Sequence, residues 1–453
     1  MTGRRSLGAD TIVAQATPPG RGGISIIRIS GPDVRRISRD LVHRVPEPRM
    51  ATVTEFYDAD DEGIDSGIVL FFPAPHSFTG EDVMELHGHG GPVVSDLLIE
   101  RVLFLGARLA EPGEFSRRAF LNDKLDLSQA EAIADLIDSG SRTAARAAQR
   151  SLRGQFSDAV MALNEKVTDL RMHVEAAIDF PDEEIDFLTD AALADRLVDV
   201  DTAFGDLMDK ARQGRLLRDG IHVVLAGRPN AGKSSLLNAL TGYDAAIVTE
   251  VPGTTRDLVR ENIEIDGLPV HIVDTAGLRN STRAVEQEGI RRARQQLGEA
   301  DHALVVVDAS NENPDDTREM IDEFPADLAY TLVRNKIDLT GESPGFDPVD
   351  KNLINISALT GAGIDELRQH VKAQVGFETG GEGTMTARRR HLNRLTDARA
   401  HFERGREELL DRGAGELMAD ELLQAQNALA EITGEFSSDD LLGEIFGSFC
   451  IGK

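Results

Sequence analysis

Cysteine is almost absent from this 453-residue chain: Cys450 is the single thiol, so no intrachain disulfide can form and a reducing compartment is expected. Long apolar runs are missing too. No stretch approaches the ~18 consecutive apolar residues of a membrane helix, which excludes a spanning protein; with the lone thiol, the expectation is a cytoplasmic protein with no membrane partner. Met1 to Asp10 include Arg4 and Arg5 but no apolar segment follows them, so a secretory leader is not expected. Basic residues are in deficit, with 49 Lys+Arg against 78 Asp+Glu and a formal charge of −29. A field of that sign repels phosphates and excludes broad, nonspecific nucleic-acid binding, while a local basic patch could still hold RNA. The acidity fits a solubility or high-salt adaptation, and composition does not choose between them.

What is present fits folded domains. Hydrophobic residues make up 41% and charged residues 28% of the chain. At about 150 residues per domain the length predicts roughly three cores. Residues 1–122 mix short β-branched runs (Ile24 to Ile29, Gly67 to Phe72, Val83 to Leu86) with Gly/Pro turns, which reads as an α+β domain. Residues 123–219 are alanine-rich helix, interrupted at Pro181. Within 220–378, apolar strands at Ile221 to Ala226, Val270 to Val273, Ala303 to Val307, Tyr330 to Val333 and Leu353 to Ile356 alternate with helical stretches, predicting a mostly parallel, helix-covered sheet. Residues 379–453 begin with the glycine pair Gly380 and Gly381, then return to helix through Leu392, Leu395, Phe402 and Leu409. The expected fold class is therefore multidomain: an α+β N-terminal domain, an all-α helical domain in two segments, and an α/β P-loop domain inserted between those segments.

Gly227-Arg228-Pro229-Asn230-Ala231-Gly232-Lys233-Ser234 matches G-x-x-x-x-G-K-[ST] between a predicted strand and an apolar helix. Backbone amides of such a loop turn inward on phosphates, the lysine reaches the β/γ oxygens and the serine hydroxyl can ligate Mg²⁺. Ser235 extends the same turn. Four more elements follow in the order a guanine-nucleotide switch requires. The stretch Thr249, Glu250, Val251, Pro252, Gly253, Thr254, Thr255 offers a threonine, Thr255, to Mg²⁺. Asp274-Thr275-Ala276-Gly277 ends a strand and can reach the metal and the γ-phosphate. Asn335-Lys336-Ile337-Asp338 ends another, and the Asp338 carboxylate accepts from guanine N1–H and N2–H, a donor pair that adenine lacks. Ser357-Ala358-Leu359 can bring a backbone amide to guanine O6. Five elements in order select GTP.

Leu278 occupies the position where Ras-like enzymes carry a water-orienting glutamine. Either hydrolysis is poor or another residue acts, and Glu286 and Glu288 in the following segment are then the candidates, each also readable as a solvated helix-start carboxylate.

The chain resembles the MnmE (TrmE) family of tRNA-modification GTPases along its whole length. The likeness rests on Asp10 to Ile24 (DTIVAQATPPGRGGI), His87 to Pro92 (HGHGGP), Pro112 to Leu127 (PGEFSRRAFLNDKLDL), the PNAGKSS loop and the terminal FCIGK from Phe449 to Lys453. It implies a homodimer formed through the N-terminal domains and a bound 5,10-methylene- or 5-formyl-tetrahydrofolate. It further implies an FAD-dependent MnmG-like partner, in a heterotetramer or larger complex, and tRNA as substrate. The implied chemistry adds a (carboxymethyl)aminomethyl group at C5 of the wobble uridine. The resemblance also makes Glu286, in V-E-x-x-G-I, the water-orienting residue, and Arg28, Glu85, Lys124 and Lys453 the folate contacts. Without it, Arg28 and Glu85 read as solvent-facing charges on edge strands. A regulatory ribosome-assembly GTPase is the alternative function; the terminal signatures speak against it.

Cys450 stands three residues from Lys453, and its thiolate would be a competent nucleophile; a small apolar residue is the plainer reading. Glu85, His87 and His89 would share one face if their strand continued through Gly88, Gly90 and Gly91, an arrangement that invites a metal but is more simply pocket lining. Arg388, Arg389, Arg390, Arg394 and Arg399 form a basic run that suits a solvated face paired with acids, or a tRNA backbone contact. For the transition-state charge of hydrolysis, Arg228, Arg256, Arg260 and Arg279 are internal cations. The other option is K⁺, held by the Asn230 amide oxygen and by carbonyls of Thr249, Val251 and Thr254, and the resemblance favours the ion.

Overall fold

The computed structural model describes residues 10–179, 191–241, 260–274, 300–322, 324–326, 328–378, 383–435 and 439–452. The chain forms two compact units, Met1–Ala134 with Gln426–Lys453, and Asp135–Ala425. The expected second helical segment, 379–453, is thus shared between them.

In the first unit, β1 (Ile12–Gln15), β2 (Ile24–Ser30), β3 (Thr52–Tyr57), β4 (Gly63–Phe72), β5 (Val83–His89) and β6 (Arg108–Leu109) form one sheet in the order β3-β4-β5-β2-β1-β6. All neighbours are antiparallel except β1 and β6. Alternation sorts the two faces. Ile27 and Ile29 of β2 and Met84 and Leu86 of β5 turn to a buried layer with Ile37 and Leu41 of α1 (Val34–Val42) and Leu98 and Val102 of α2 (Pro92–Phe104). On the other face lie Arg28 and Glu85. Ile12, Ala14 and Phe115 close a smaller cluster beneath α3 (Glu114–Leu121). The C-terminal helix Asp439–Gly447 and Phe449 pack with Leu127 and Ala130, the first turns of α4 (Leu127–Ile137).

The second unit opens with helices. α5 (Arg142–Leu152) is N-capped by Ser141, whose side chain accepts from the Ala144 amide. In α6 (Gln155–Asp179), Val160, Leu163, Val167, Leu170 and Val174 recur at three- and four-residue steps and are all buried, so one stripe faces α7 (Ala191–Asp219). The expected break at Pro181 falls outside the described residues, as do Gly380 and Gly381. The returning helix Arg389–Arg412 lays Leu395, Ala398, Phe402 and Leu409 inward, with Phe402 stacked on Phe204 of α7 at 5.7 Å. Three arginines of the basic run meet acids: Arg388 bonds Asp135 at 2.7 Å, Arg394 Asp397 at 2.9 Å, and Arg399 both Asp201 and Glu403.

Between those helices the chain builds a second sheet, ordered β12-β13-β11-β10-β7-β9-β8. The inner strands β7 (Ile221–Gly227), β9 (Leu268–Asp274), β10 (His302–Asp308), β11 (Tyr330–Asn335) and β13 (Leu353–Asn355) run parallel. β8 (Arg260–Ile265) and the short β12 (Gly345–Phe346) are antiparallel edges. Leu236 and Leu240 of α8 (Lys233–Thr241) and Leu367 and Val371 of the helix Ile364–Gln374 join one apolar core with the strands. β8 was not expected; it has only two apolar residues, Ile263 and Ile265, which alternate with polar ones and turn inward, and pairing with β9 in the tight hairpin at Asp266 and Gly267 makes it a strand. Among the described residues, no helix is long and apolar enough to cross a membrane.

α7 also shows how closely the segments meet: a Cβ built on Gly214 would lie 1.9 Å from the Met385 carbonyl oxygen, whereas one on Gly205 meets nothing within 4 Å. Gly214→Ala is therefore expected to destabilise this unit by about 2 kcal/mol, the scale of overpacking. Gly205→Ala should stabilise it by about 0.5–1 kcal/mol, because alanine gives up less conformational freedom in a helix. Urea unfolding followed by circular dichroism reads both, and equal midpoints for the two variants would contradict the packing.

Candidate functional site

Parallel strands deliver their C-terminal ends to one edge of the second sheet, where loops can gather around a ligand. β7 ends at Gly227, and the glycine-rich loop carries the chain to α8, whose N-terminal amides and dipole favour an anion. Within the loop Asn230 adopts a left-handed conformation at φ 65°. Lys233 is buried, and its Nζ donates to the carbonyls of Gly227 (2.9 Å) and Arg228 (3.1 Å), which holds the ammonium at the mouth of the loop. Ser234 and Ser235 are exposed on the first turn of α8.

A buried asparagine unites the surroundings. Asn335 ends β11 at 2% exposure. Its Nδ2 donates to the Ala231 carbonyl at 3.1 Å, and its Oδ1 accepts from the amides of Lys336 (2.8 Å) and Ala358 (3.0 Å). Three loops distant in sequence are thereby tied to one carboxamide. Gly232 has to be glycine here: at φ +96° a Cβ would stand 2.2 Å from Asn335 Nδ2. Asp338 is exposed in the short helix Ile337–Thr340, and the Ser357 hydroxyl donates to its Oδ1 at 2.6 Å, which orients the carboxylate. Leu359, next in that turn, is 84% exposed.

Lys336 makes a further link. Its Nζ donates to the Asn230 carbonyl at 2.8 Å and to Asp308 Oδ2 at 2.6 Å. The Lys336 ammonium, with the Ser310 hydroxyl and amide, holds the Asp308 carboxyl below the usual carboxylate range. Sequence reasoning passed over Asp308. The signal was its position at the end of a parallel strand, in register with Asn335. Arg228 forms an ion pair with Asp316, and both line a cavity of about 240 Å³ beside the loop.

The remaining predicted residues divide in two. Asp274 ends β9 opposite Leu225, so its backbone stands at the same sheet edge. Thr249, Glu250, Val251, Pro252, Gly253, Thr254 and Thr255 lie outside the described residues, as do Thr275, Ala276, Gly277, Leu278, Glu286, Glu288, Arg256 and Arg279. Arg260 is the first residue of β8.

A second polar constellation sits in the first unit. Arg28 and Glu85 are direct cross-strand partners on β2 and β5, and Arg28 Nε donates to Glu85 Oε1 at 2.9 Å. These are central strands, so the edge-strand reading is corrected: both side chains are largely covered, at 24% and 15% exposure. The Arg28 guanidinium lies 5.6 Å from the Phe78 ring centre and 5.7 Å from that of Phe115, and its Nη1 donates to the Gly452 carbonyl at 3.4 Å. The tail is also held at Gly113, whose amide donates to the Cys450 carbonyl at 3.4 Å; Cys450 itself is exposed. Lys124 is exposed and its side-chain carbons lie beside Gly80. Lys453 lies outside the described residues.

β5 stays regular through Gly88 to His89, where the glycines were expected to interrupt it. His87 Nε2 pairs with Glu85 Oε2 at 3.3 Å, but His89 turns to Asp65 at 2.7 Å. Among the described residues no group of three or more His, Cys, Asp or Glu could hold a metal ion. Arg118, read only as part of a signature, is 1% exposed and bonded to Asp10, Glu81 and Glu114, fixing α3 under the tail.

Residues 11–124 match the family described as GTP-binding protein TrmE N-terminus, and residues 127–450 match the MnmE helical domain. A tRNA modification GTPase MnmE from Chromohalobacter salexigens is 57% identical over 449 residues, 98% of either chain. Among solved structures, the G domain of the T. maritima FeoB iron transporter is 27% identical, covering 34% of this chain and 98% of its own, with a TM-score of 0.27. Era from Aquifex aeolicus is 28% identical, covering 41% of this chain and 67% of its own, with a TM-score of 0.26.

If Asp338 reads the base, Asp338→Asn is expected to exchange a guanine for a xanthine preference, since an amide donor then stands where the carboxylate accepted. Competition binding of GTP and XTP checks this, and unchanged GTP affinity would remove the role.

Proposed function

The chain belongs to the MnmE (TrmE) family of tRNA-modification GTPases, and from that premise we propose that it hydrolyses GTP and, with an FAD-dependent MnmG-like partner, adds a (carboxymethyl)aminomethyl group to C5 of the wobble uridine of certain tRNAs. The observation that supports the GTP reading most is the Asp338 carboxylate, oriented by Ser357 and linked through Asn335 to the phosphate loop. Loop amides and Lys233 bind the phosphates, and Asp338 selects guanine. Glu286 orients the attacking water. The enzyme works as a homodimer in the cytoplasm.

The described residues fit the groups the family implies. Ser234, an exposed hydroxyl beside Lys233, suits Mg²⁺, a hard cation that prefers oxygen ligands, with Thr255 as its second side chain. Bound there, Mg²⁺ neutralises charge on the β- and γ-phosphate oxygens. Asn230 is exposed in the loop and offers a neutral amide oxygen to K⁺, with Thr249, Val251 and Thr254 completing the shell. In the first unit the Arg28–Glu85 pair, flanked by Phe78 and Phe115, presents an acceptor, donors and ring faces suited to a folate, with Lys124 and Lys453 for its carboxylates. A tetrahydrofolate held there supplies the one-carbon unit. The Gly452 contact to Arg28 and the Cys450 contact to Gly113 keep the tail beside that face, which supports a chemical role for the exposed Cys450 thiol.

Two measurements test this reading. GTPase activity should rise strongly in K⁺ over Na⁺ at equal ionic strength, and Asn230→Ala should lose the response. An arginine would be indifferent to the salt, so equal rates in both would return attention to the arginines. Cys450→Ser should keep GTP hydrolysis and lose the modified wobble nucleoside; normal nucleoside levels in that strain would exclude the thiol.

A further inference from the structure

We infer that Asp308 is a positioning residue for nucleotide binding, acting through Lys336 to fix the Asn230 carbonyl and with it the left-handed turn of the phosphate loop. This rests on reading the second unit's sheet edge as a guanine-nucleotide site.

Both residues joined by the Lys336 ammonium bond are in unusual backbone conformations. Asn230 is left-handed at φ 65° and Lys336 at φ 70°. Neither is glycine, so each conformation needs support from its surroundings. The left-handed turn at Asn230 presents its carbonyl to Lys336 Nζ at 2.8 Å. A lysine side chain is long and rotatable, and one carbonyl does not fix its direction. Asp308 supplies the second point, with Oδ2 at 2.6 Å from the same nitrogen.

Asp308 is itself held still. Its Oδ1 accepts from the Ser310 amide at 3.0 Å and from the Ser310 hydroxyl at 2.6 Å. Its backbone stands in register with Asn335 across the parallel β10–β11 pair, and the Ala309 amide donates to the Asn335 carbonyl at 2.9 Å. The carboxylate therefore moves with the strand end that carries Asn335 and Lys336. Lys336 and Asp308 are only 31% and 23% exposed, so water competes less than at an open surface pair. The loop is tied a second time to the same stretch, by Arg228 to Asp316. The chain after β10 thus acts as a rigid post for the phosphate loop, a duty separate from contact with the nucleotide.

The test is dissociation of fluorescently labelled GDP from the full-length protein, with GTPase kinetics alongside. Asp308→Asn should speed release about tenfold, the scale of one charge-assisted hydrogen bond. KM should rise in step while kcat stays within about twofold, as for loss of binding shared by ground and transition states. In a Lys336→Ala background the same substitution should add less than twofold, because its route of action is gone. Ser310→Ala, which removes the hydroxyl bond to the other carboxylate oxygen while keeping the amide bond and the charge, should speed release about threefold; it carries the test should Asp308→Asn not fold. Wild-type release rates in Asp308→Asn and Ser310→Ala, or a full tenfold effect of Asp308→Asn without Lys336, would overturn the inference. A wild-type protein that binds no guanine nucleotide would instead sink the underlying reading of the site.

Discussion

The nucleotide-site architecture hangs on one buried carboxamide. Asn335 has four hydrogen-bonding positions and uses three of them on backbone groups of the phosphate loop, its own strand end and the turn after β13. Buried at 2% exposure, each of those groups would cost free energy if left unpaired, so the three loops share a single low-energy arrangement. The apolar sheet makes this possible. Its inner strands are held by a Val, Leu and Ile layer on one face and a smaller Val and Ala layer on the other, and their ends become fixed points from which polar loops can project. Asp308, Lys336, Asp338 and Ser357 elaborate the same edge.

The first unit solves a comparable problem with charge. Arg28 and Glu85 sit opposite each other on central strands, and the pair is largely covered. Beneath α3, Arg118 is almost wholly buried and meets three acids, with Arg108 sharing Asp10 and Glu114. Burial alone would raise the Glu114 carboxyl, but the bonds from Arg108, the Glu111 amide and Arg118 hold it below its ordinary range. A network of this kind adds little net stability against an apolar replacement, yet removing one partner costs about 3–5 kcal/mol. Its consequence is geometric: α3 has one seat, and the C-terminal residues that touch Gly113 and Arg28 inherit it. Much of the basic run from Arg388 to Arg399 is spent on Asp135, Asp201, Asp397 and Glu403.

Sequence by itself determined the class of each unit and the chemistry of the phosphate loop. Apolar runs of strand length alternating with helical stripes leave a parallel sheet as the only arrangement that buries both patterns, and a glycine loop between strand and helix has one widely used purpose. Asp338, proposed to read the base, was equally legible, because the Asn335-Lys336-Ile337-Asp338 stretch is contiguous. Tertiary structure decided what depends on residues far apart in the chain. Arg28 and Glu85, which local reading put on solvent-facing edges, face each other because β2 and β5 are central neighbours. The last residues belong to the N-terminal unit, since Phe446 and Phe449 find their apolar partners at Leu127 and Ala130 of α4 and the Gly452 carbonyl accepts from Arg28. Asp308 acquired a role only when two strand ends came into register. Local pattern encodes what a segment can become; which polar groups meet is set by strand order, and strand order is a property of the whole fold.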